Sequence, residues 1–128
     1  MAAIRGRNNQ STEEVLASLL RRNGLWGWRR HLPLPGRPDF AFTRQKVAVF
    51  IDGCFWHGCP LHYTQPATNR AFWRRKIEGN MRRDRTTAAQ LRRKGWRVLR
   101  IWEHSLKEPG RVLARITRAL AAADGSSP

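Results

Sequence analysis

Two neighbouring segments, residues 35–42 and 47–59, constrain the fold and chemistry of this chain more than any other feature. Asp39 stands directly ahead of the short apolar run 40–42, and residues 46–51 form a near-continuous apolar run that predicts a strand buried on both faces. Four potential metal ligands follow that strand: Asp52, Cys54, His57 and Cys59. Oxygen ligands for a hard cation thus adjoin sulfur ligands for a soft one, which predicts two metal sites.

The remainder of the sequence is strongly basic. The 128 residues carry a formal net charge of +16, mostly from Arg, and six Trp are spread among the positive residues. A disordered basic tail would lack these aromatics, and the length suffices for one domain with a hydrophobic core. Because Arg binds phosphate with two parallel hydrogen bonds, we expect a nucleic-acid-binding domain. The alternative is a solvated basic surface typical of arginine-rich proteomes.

The sequence shows neither a secretory signal nor an apolar run of about 18 residues. We therefore expect a reduced, cytoplasmic protein that is nucleoid-associated, of bacterial type and not bound to a membrane. In that compartment, closely spaced Cys near His more often bind zinc than form a disulfide.

Hydrophobic periodicity predicts the order helix, strands, helix, strand, helix, and so an α/β fold with a central mixed β-sheet flanked by helices. We assign residues 1–10 to an N-terminal DNA-contacting arm, 11–122 to the folded domain and 123–128 to a flexible tail. The first helix is predicted to begin at Ser11 or Thr12 and to end near Asn23 and Gly24. The other predicted elements are strands over 25–31, 39–42, 46–51 and 96–102, and helices over 69–94 and from 109 onwards.

The carboxylates indicate a magnesium site for phosphodiester hydrolysis. A hairpin would bring Asp39 and Asp52 together, Glu13 on the first helix could approach them, and His57 could act as general base or orient the attacking water. Each residue has an ordinary alternative: Asp39 as a turn carboxylate, Asp52 as a strand-end cap, Glu13 as an exposed first-turn residue and His57 as a packed or solvated loop histidine.

Cys54 and Cys59, with four residues between them, indicate a zinc site in which His62 and His104 complete a closed Cys2His2 set. His104 reaches this loop only if the strand before it lies beside the central strand. A closed set of protein ligands would be structural rather than catalytic. The alternative is a pair of buried free thiols with surface histidines.

The aromatic and basic residues suggest how DNA is held. Phe55 and Trp56 could insert between base pairs, although one of them could instead cover the core. Asp84 could orient a catalytic histidine or form a salt bridge on the helix surface. The long helix is expected to contact phosphates through Lys76, Arg82, Arg83 and Arg85, with Arg74 and Arg75 nearby.

Taken together, these residues resemble the very-short-patch mismatch repair endonucleases, which nick DNA beside a T:G mismatch. The resemblance runs from about Met1 to Leu106. It is carried by Ala3-Ile4-Arg5-Gly6, Glu13 with 16–20, Leu34-Pro35-Gly36-Arg37-Pro38-Asp39-Phe40, Gly53-Cys54-Phe55-Trp56-His57, Pro66-Ala67-Thr68, Phe72-Trp73, Lys76-Ile77, Asn80, Arg83-Asp84-Arg85, Gly95-Trp96-Arg97-Val98-Leu99 and Trp102-Glu103.

The resemblance implies a single-domain restriction-endonuclease-like fold with a structural zinc. It implies that Asp39 binds Mg2+ together with the backbone carbonyl of Ile51, and that His57 acts in water activation with Glu13 and Asp84 in support. Phe55 and Trp56 are expected to intercalate next to the mismatch while the arm closes over the DNA. The zinc ligands are expected at Cys54, Cys59, His62 and His104, with the cysteine and histidine identities permuted.

The chain departs from the best-known family pattern at two positions, having Asp52 in place of a histidine and Ile51 in place of a threonine. We expect a monomeric, Mg2+-dependent endonuclease that nicks double-stranded DNA at or near a T:G mismatch, with mismatch-repair proteins as partners. The alternatives are a restriction-type or structure-specific nuclease and a zinc-stabilised DNA-binding protein without catalysis. Two converging carboxylates disfavour the pure binder, because negative charge facing phosphate would only weaken binding.

Overall fold

A four-stranded mixed sheet organises the chain. A computed structural model describes residues 2–53 and 68–125, with side chains for 12–53 and 68–123. The strands are β1 (Trp28–Arg30), β2 (Phe40–Phe42), β3 (Val47–Asp52) and β4 (Arg97–Trp102), in the spatial order β1-β2-β3-β4. β1, β2 and β3 pair antiparallel, whereas β3 and β4 pair parallel. The predicted mixed sheet is confirmed, and β4 lies beside β3, which is the condition set for His104 in the zinc prediction.

Helices cover both faces of this sheet, as the α/β prediction requires. They are α1 (Ala2–Arg22), α2 (Arg70–Arg93) and α3 (Pro109–Gly125), and a short 3-10 helix spans Glu103–Lys107. On one face, α1 and α3 bury Leu16, Leu20, Val112 and Ile116 against the sheet. On the other face, Leu91 of α2 packs on the sheet. No helix in the described part of the chain is long and apolar enough to cross a membrane.

The helix ends differ from the predictions in two places. α1 begins at Ala2 rather than at Ser11 or Thr12, so the segment assigned to an arm is helical. Apolar periodicity marks only the part of a helix that packs on a core, which is why a polar first half gave no signal. α3 extends to Gly125, into the segment assigned to a tail. The end of α1 was predicted correctly: Gly24 adopts φ 71° just beyond Arg22.

The alternation of side chains along β3 sets up the functional edge. Val47 and Val49 face the α1–α3 core, whereas Ala48 and Phe50 face the α2 side. By the same alternation Asp52 belongs to the α2 side, and it is buried. The central strand is therefore buried on both faces, as its composition predicted, and it ends in a carboxylate.

Candidate active site

Asp39 is held in place by a tight turn and by the neighbouring strand. The turn before it contains Gly36 at φ 75°, where a Cβ atom would collide with the Thr87 methyl group of α2. Asp39 directly precedes β2, and its Oδ2 accepts a hydrogen bond from the Ile51 backbone N–H at 2.7 Å. A turn that only glycine can make, packed against α2, thus fixes this carboxylate beside the end of β3.

The surroundings of Asp39 disfavour its negative charge. Burial raises the pKa of the Asp39 carboxyl to about 6, and the Glu13 and Asp52 carboxylates push that pKa in the same direction. The Ile51 amide and His31 act in the opposite direction, because each favours the ionised form. A carboxylate in this situation would gain from a nearby cation.

Glu13 of α1, His31 and Asp39 form a compact cluster. One potential ligand atom from each of the three residues lies within 4.8 Å of those of the other two. Glu13 is only 6% exposed, so the alternative of an exposed first-turn residue does not hold. Its Oε1 lies 2.7 Å from His31 Nε2 and 2.9 Å from Arg30 Nη2. Two basic side chains from β1 and the turn after it therefore fix the Glu13 carboxylate.

A cleft of about 470 Å³ opens on the other side of Asp39, between the end of β3 and α2. Its wall combines three carboxylates with several positive side chains, and it is formed by Gly36, Arg37, Asp39, Phe50, Ile51, Asp52, Asn80, Arg83, Asp84, Thr87 and Arg100. The sequence predicted Asp39, Asp52 and Asp84 for the site, and the structure brings all three to this cleft. Cations from α2 and β4 in the same wall suit a polyanionic substrate.

Arg100 links the carboxylates of the cleft. Its Nη1 lies 2.9 Å from Asp52 Oδ1 and 3.6 Å from Asp84 Oδ1. The guanidinium also stacks on Phe50, with its central carbon 4.3 Å from the ring centroid. Asp84 therefore forms a salt bridge, which was the alternative to its role in orienting a histidine. Its partner, Arg100, lies on β4 and not on α2. Asp52 stays a predicted magnesium ligand, and a metal ion would compete with Arg100 for its oxygen.

Sequence reasoning missed His31 and Arg100 as site residues. A signal for His31 was present in the hairpin register: the last β1–β2 pair is Arg30 with Phe40, so one further step sets His31 opposite Asp39. Arg100 lies within the strand predicted over 96–102, and its register partner on β3 is Phe50. Such a partner can be found only once the parallel pairing of β3 and β4 is known.

Several predicted residues lie outside the described residues: Cys54, Phe55, Trp56, His57, Cys59 and His62. Of the predicted zinc ligands only His104 is described, in the 3-10 helix just after β4. Trp102 at the end of β4 is the register partner of Asp52 at the end of β3. The two strands thus end side by side, which is the arrangement that the zinc prediction requires for His104.

The predicted phosphate contacts on α2 are available to solvent. The four side chains Lys76, Arg82, Arg83 and Arg85 are exposed. Arg83 also lines the cleft, where it donates a hydrogen bond to the buried Asn80. α2 therefore presents a basic surface that continues into the cleft holding Asp39.

This sequence is similar to the sequences of known proteins. Residues 1–62 match the family described as DNA mismatch endonuclease Vsr. The DNA mismatch endonuclease Vsr of Escherichia coli (strain K12) is 43% identical over 109 residues, 84% of this chain and 69% of that protein. The chain belongs to the Vsr family. Family membership makes it a DNA endonuclease, and the cleft and cluster around Asp39 are its candidate active site.

Two nicking enzymes are also similar to this Vsr family member. The Type II nicking enzyme V.XorIIP of Xanthomonas oryzae pv. oryzae is 36% identical over 94% of this chain and 88% of its own length. The Type II nicking enzyme V.NaeI of Lentzea aerocolonigenes is 59% identical, but over 53% of this chain and 41% of the relative. The chain thus matches less than half of V.NaeI.

Proposed function

We propose that this Vsr family member is a Mg2+-dependent endonuclease that nicks one strand of duplex DNA at or near a T:G mismatch, with a restriction-endonuclease-like fold. The observation that carries the proposal is the position of Asp39, between the Glu13–His31 pair and a cleft lined by arginines. The similarity to a DNA mismatch endonuclease and to nicking enzymes supports the same activity.

The residues at this edge suit a magnesium ion. Asp39 and Asp52 offer carboxylate oxygens and Ile51 its carbonyl, and Mg2+ prefers such oxygen ligands. The burial that raises the pKa of Asp39 to about 6 is the environment in which a carboxylate gains most from a cation. When bound there, the metal would acidify a water molecule and offset charge on the phosphoryl oxygens.

The chain's own residues orient and stabilise the substrate. The Ile51 amide fixes the direction of the Asp39 carboxylate, and Arg30 and His31 fix that of Glu13. Arg100, held by Asp52 and by the face of Phe50, presents a positive charge toward a phosphate in the cleft. Preorganised charge of this kind stabilises a phosphoryl transition state without reorganisation during the reaction.

Duplex DNA is held by the basic surface of α2, because each phosphate contact from Lys or Arg releases counterions. Phe55 and Trp56 enter the base stack beside the mismatch, and His57 assists the attacking water. Cys54, Cys59, His62 and His104 would hold the zinc ion, which would tie residues 54–62 to the 3-10 helix that carries His104. The proposed enzyme is a monomer that works with mismatch-repair proteins on nucleoid DNA in the bacterial cytoplasm.

A nicking assay tests the proposal. Labelled duplexes with a T:G mismatch and fully paired duplexes are incubated with the protein and Mg2+, and each strand is followed separately. We expect one nicked strand in the mismatched duplex only, and no product with EDTA. Equal cleavage of both duplexes would favour a restriction-type nuclease, and tight binding without any cleavage would favour a DNA-binding protein.

Two variants make the assay specific to the site. Asp39→Asn keeps the shape of the side chain and its acceptor for the Ile51 amide, so a fold defect is not expected, yet nicking should fall by about 10³-fold or more. Glu108→Gln, an exposed carboxylate paired with Arg111 outside the cleft, should nick normally. Metal analysis of the purified protein is expected to find about one zinc per chain.

A further inference from the structure

The cluster of Glu13, His31 and Asp39 contains an imidazole nitrogen, a metal ligand that is missing from a magnesium site made only of oxygen ligands. One ligand atom from each of the three residues lies within 4.8 Å of the others. Two ligands at about 2.0–2.2 Å from one ion lie at most about 4.4 Å apart, so the three side chains need at most small movements to bind one ion together. In the described part of the chain, this is the one group of three such residues with that spacing.

The fold, rather than chance proximity on a mobile surface, brings His31 to this place. It lies one residue beyond the last β1–β2 pair, so it stands opposite Asp39. Its backbone adopts φ 55°, a conformation found in only a few per cent of residues other than Gly. This turn of the backbone ends β1 and sets the imidazole against Glu13, with Nε2 at 2.7 Å from Oε1.

Glu13 is already oriented for ligation. Its carboxylate is buried, accepts a hydrogen bond from Arg30 and lies 2.7 Å from His31 Nε2, but a carboxylate has about four lone-pair sites. One oxygen can therefore keep the Arg30 contact while the group also binds a cation. A partner such as Arg30, which holds a ligand without touching the ion, is typical of metal sites.

We propose that Glu13, His31 and Asp39 form one divalent-cation site in which the His31 imidazole is a ligand, so that this site binds a first-row transition ion such as Mn2+ more tightly than a site made only of oxygen ligands would. Magnesium favours oxygen ligands and gives up its water reluctantly, whereas imidazole nitrogen suits transition metals. The inference rests on the proposed function, because it assigns the metal preference of the same nuclease site.

Direct observation of the bound ion tests the proposal. Mn2+ is added without DNA to the purified full chain in its zinc-bound form, and electron spin echo modulation detects nitrogen bound to manganese. We expect a nitrogen signal in the natural protein, its loss in His31→Gln, and its retention in Glu108→Gln. A nitrogen signal that persists in His31→Gln, or that is missing from the natural protein, would overturn the assignment.

Affinity measurements separate a ligand from a residue that only shapes the site. By calorimetry, His31→Gln should weaken Mn2+ binding by about 10- to 100-fold while changing Mg2+ binding by less than about 3-fold. Equal losses for both ions would contradict a role in metal choice and indicate general damage to the site. Circular dichroism before each titration shows whether the variant is folded.

The proposed metal site and the proposed nuclease activity can fail independently of each other. A protein that nicks mismatched DNA with Mg2+ but shows no difference between natural protein and His31→Gln in Mn2+ binding would keep its proposed function and lose the His31 ligand. A protein that binds Mn2+ through His31 but cleaves no DNA would keep the metal site and lose the nuclease function.

Discussion

Arg100 and Asp52 form an ion pair at the carboxyl ends of two parallel strands, with Nη1 and Oδ1 2.9 Å apart. Asp52 stands where the best-known family pattern has a histidine. In this chain the position therefore carries a negative charge, and the guanidinium from β4 supplies the positive charge beside it. The pair faces the cleft that holds Asp39, so the Arg100 guanidinium offsets the Asp52 charge within the site.

A double-mutant cycle with Asp52→Asn and Arg100→Gln measures that interaction. Urea unfolding should give a coupling free energy of about 1–3 kcal/mol, since Asp52 is buried while Arg100 is partly exposed. The same cycle on Glu108 and Arg111, both exposed and 3.5 Å apart, should give less than about 1 kcal/mol. A coupling for Asp52 no larger than this control would mean that Arg100 does little to stabilise this carboxylate.

Asp39→Asn should stabilise the metal-free protein at neutral pH even though it abolishes nicking. The pKa of Asp39 rises from 3.8 to about 6 on folding, so the folded state binds the proton more tightly than the unfolded state. This contribution to stability is present at low pH and is lost as pH rises between these two values. In EDTA at pH 7.5 the variant should therefore gain up to about 3 kcal/mol in the free energy of unfolding.

Thermal unfolding over a pH series checks the sign. The difference between Asp39→Asn and the natural protein should be largest above pH 7 and should shrink steadily from about pH 6 to pH 4. Added Mg2+ should stabilise only the natural protein and narrow the gap. A variant that is less stable than the natural protein at pH 7.5 would show that the buried, ionised Asp39 carboxylate does not destabilise the folded protein.

Gly36→Ala should destabilise the turn before Asp39 for two separable reasons. The added methyl group would meet Thr87 and Phe50, and φ 75° disfavours any side chain. We expect a loss of about 2–4 kcal/mol in the free energy of unfolding. Thr87→Ser removes the colliding methyl group and should restore part of that loss in the double variant. Gly79 lies in α2, and a Cβ atom added there would meet no neighbouring atom within 4 Å. Gly79→Ala should therefore leave the free energy of unfolding unchanged or raise it slightly.

Much of the fold could be predicted because two local signals are strong: the continuous apolar run of β3 and the glycine, Gly95, that follows the end of α2. The pairing of Asp39 with the end of β3 could also be predicted, since a hairpin needs only a short turn. The Arg100 partners could not, because they depend on the parallel pairing of β4 with β3, and the residues between those strands give no register. The start of α1 could not be predicted for a different reason. A helix made of polar residues has the same sequence pattern as a solvated arm.

The basic surface of α2 should determine the salt dependence of DNA binding. Lys76→Ala, Arg82→Ala and Arg85→Ala each remove one exposed charge from α2. Each should lower the slope of log K against log salt concentration by about 0.9 if the residue contacts a phosphate, with mismatched and paired duplexes affected alike. Arg118→Ala, exposed on α3 across the sheet from α2, should leave that slope unchanged. Fluorescence anisotropy at four salt concentrations, with Ca2+ present to prevent cleavage, measures the slopes. If Arg118→Ala changes the slope as much as the other variants do, DNA is not held on the α2 face.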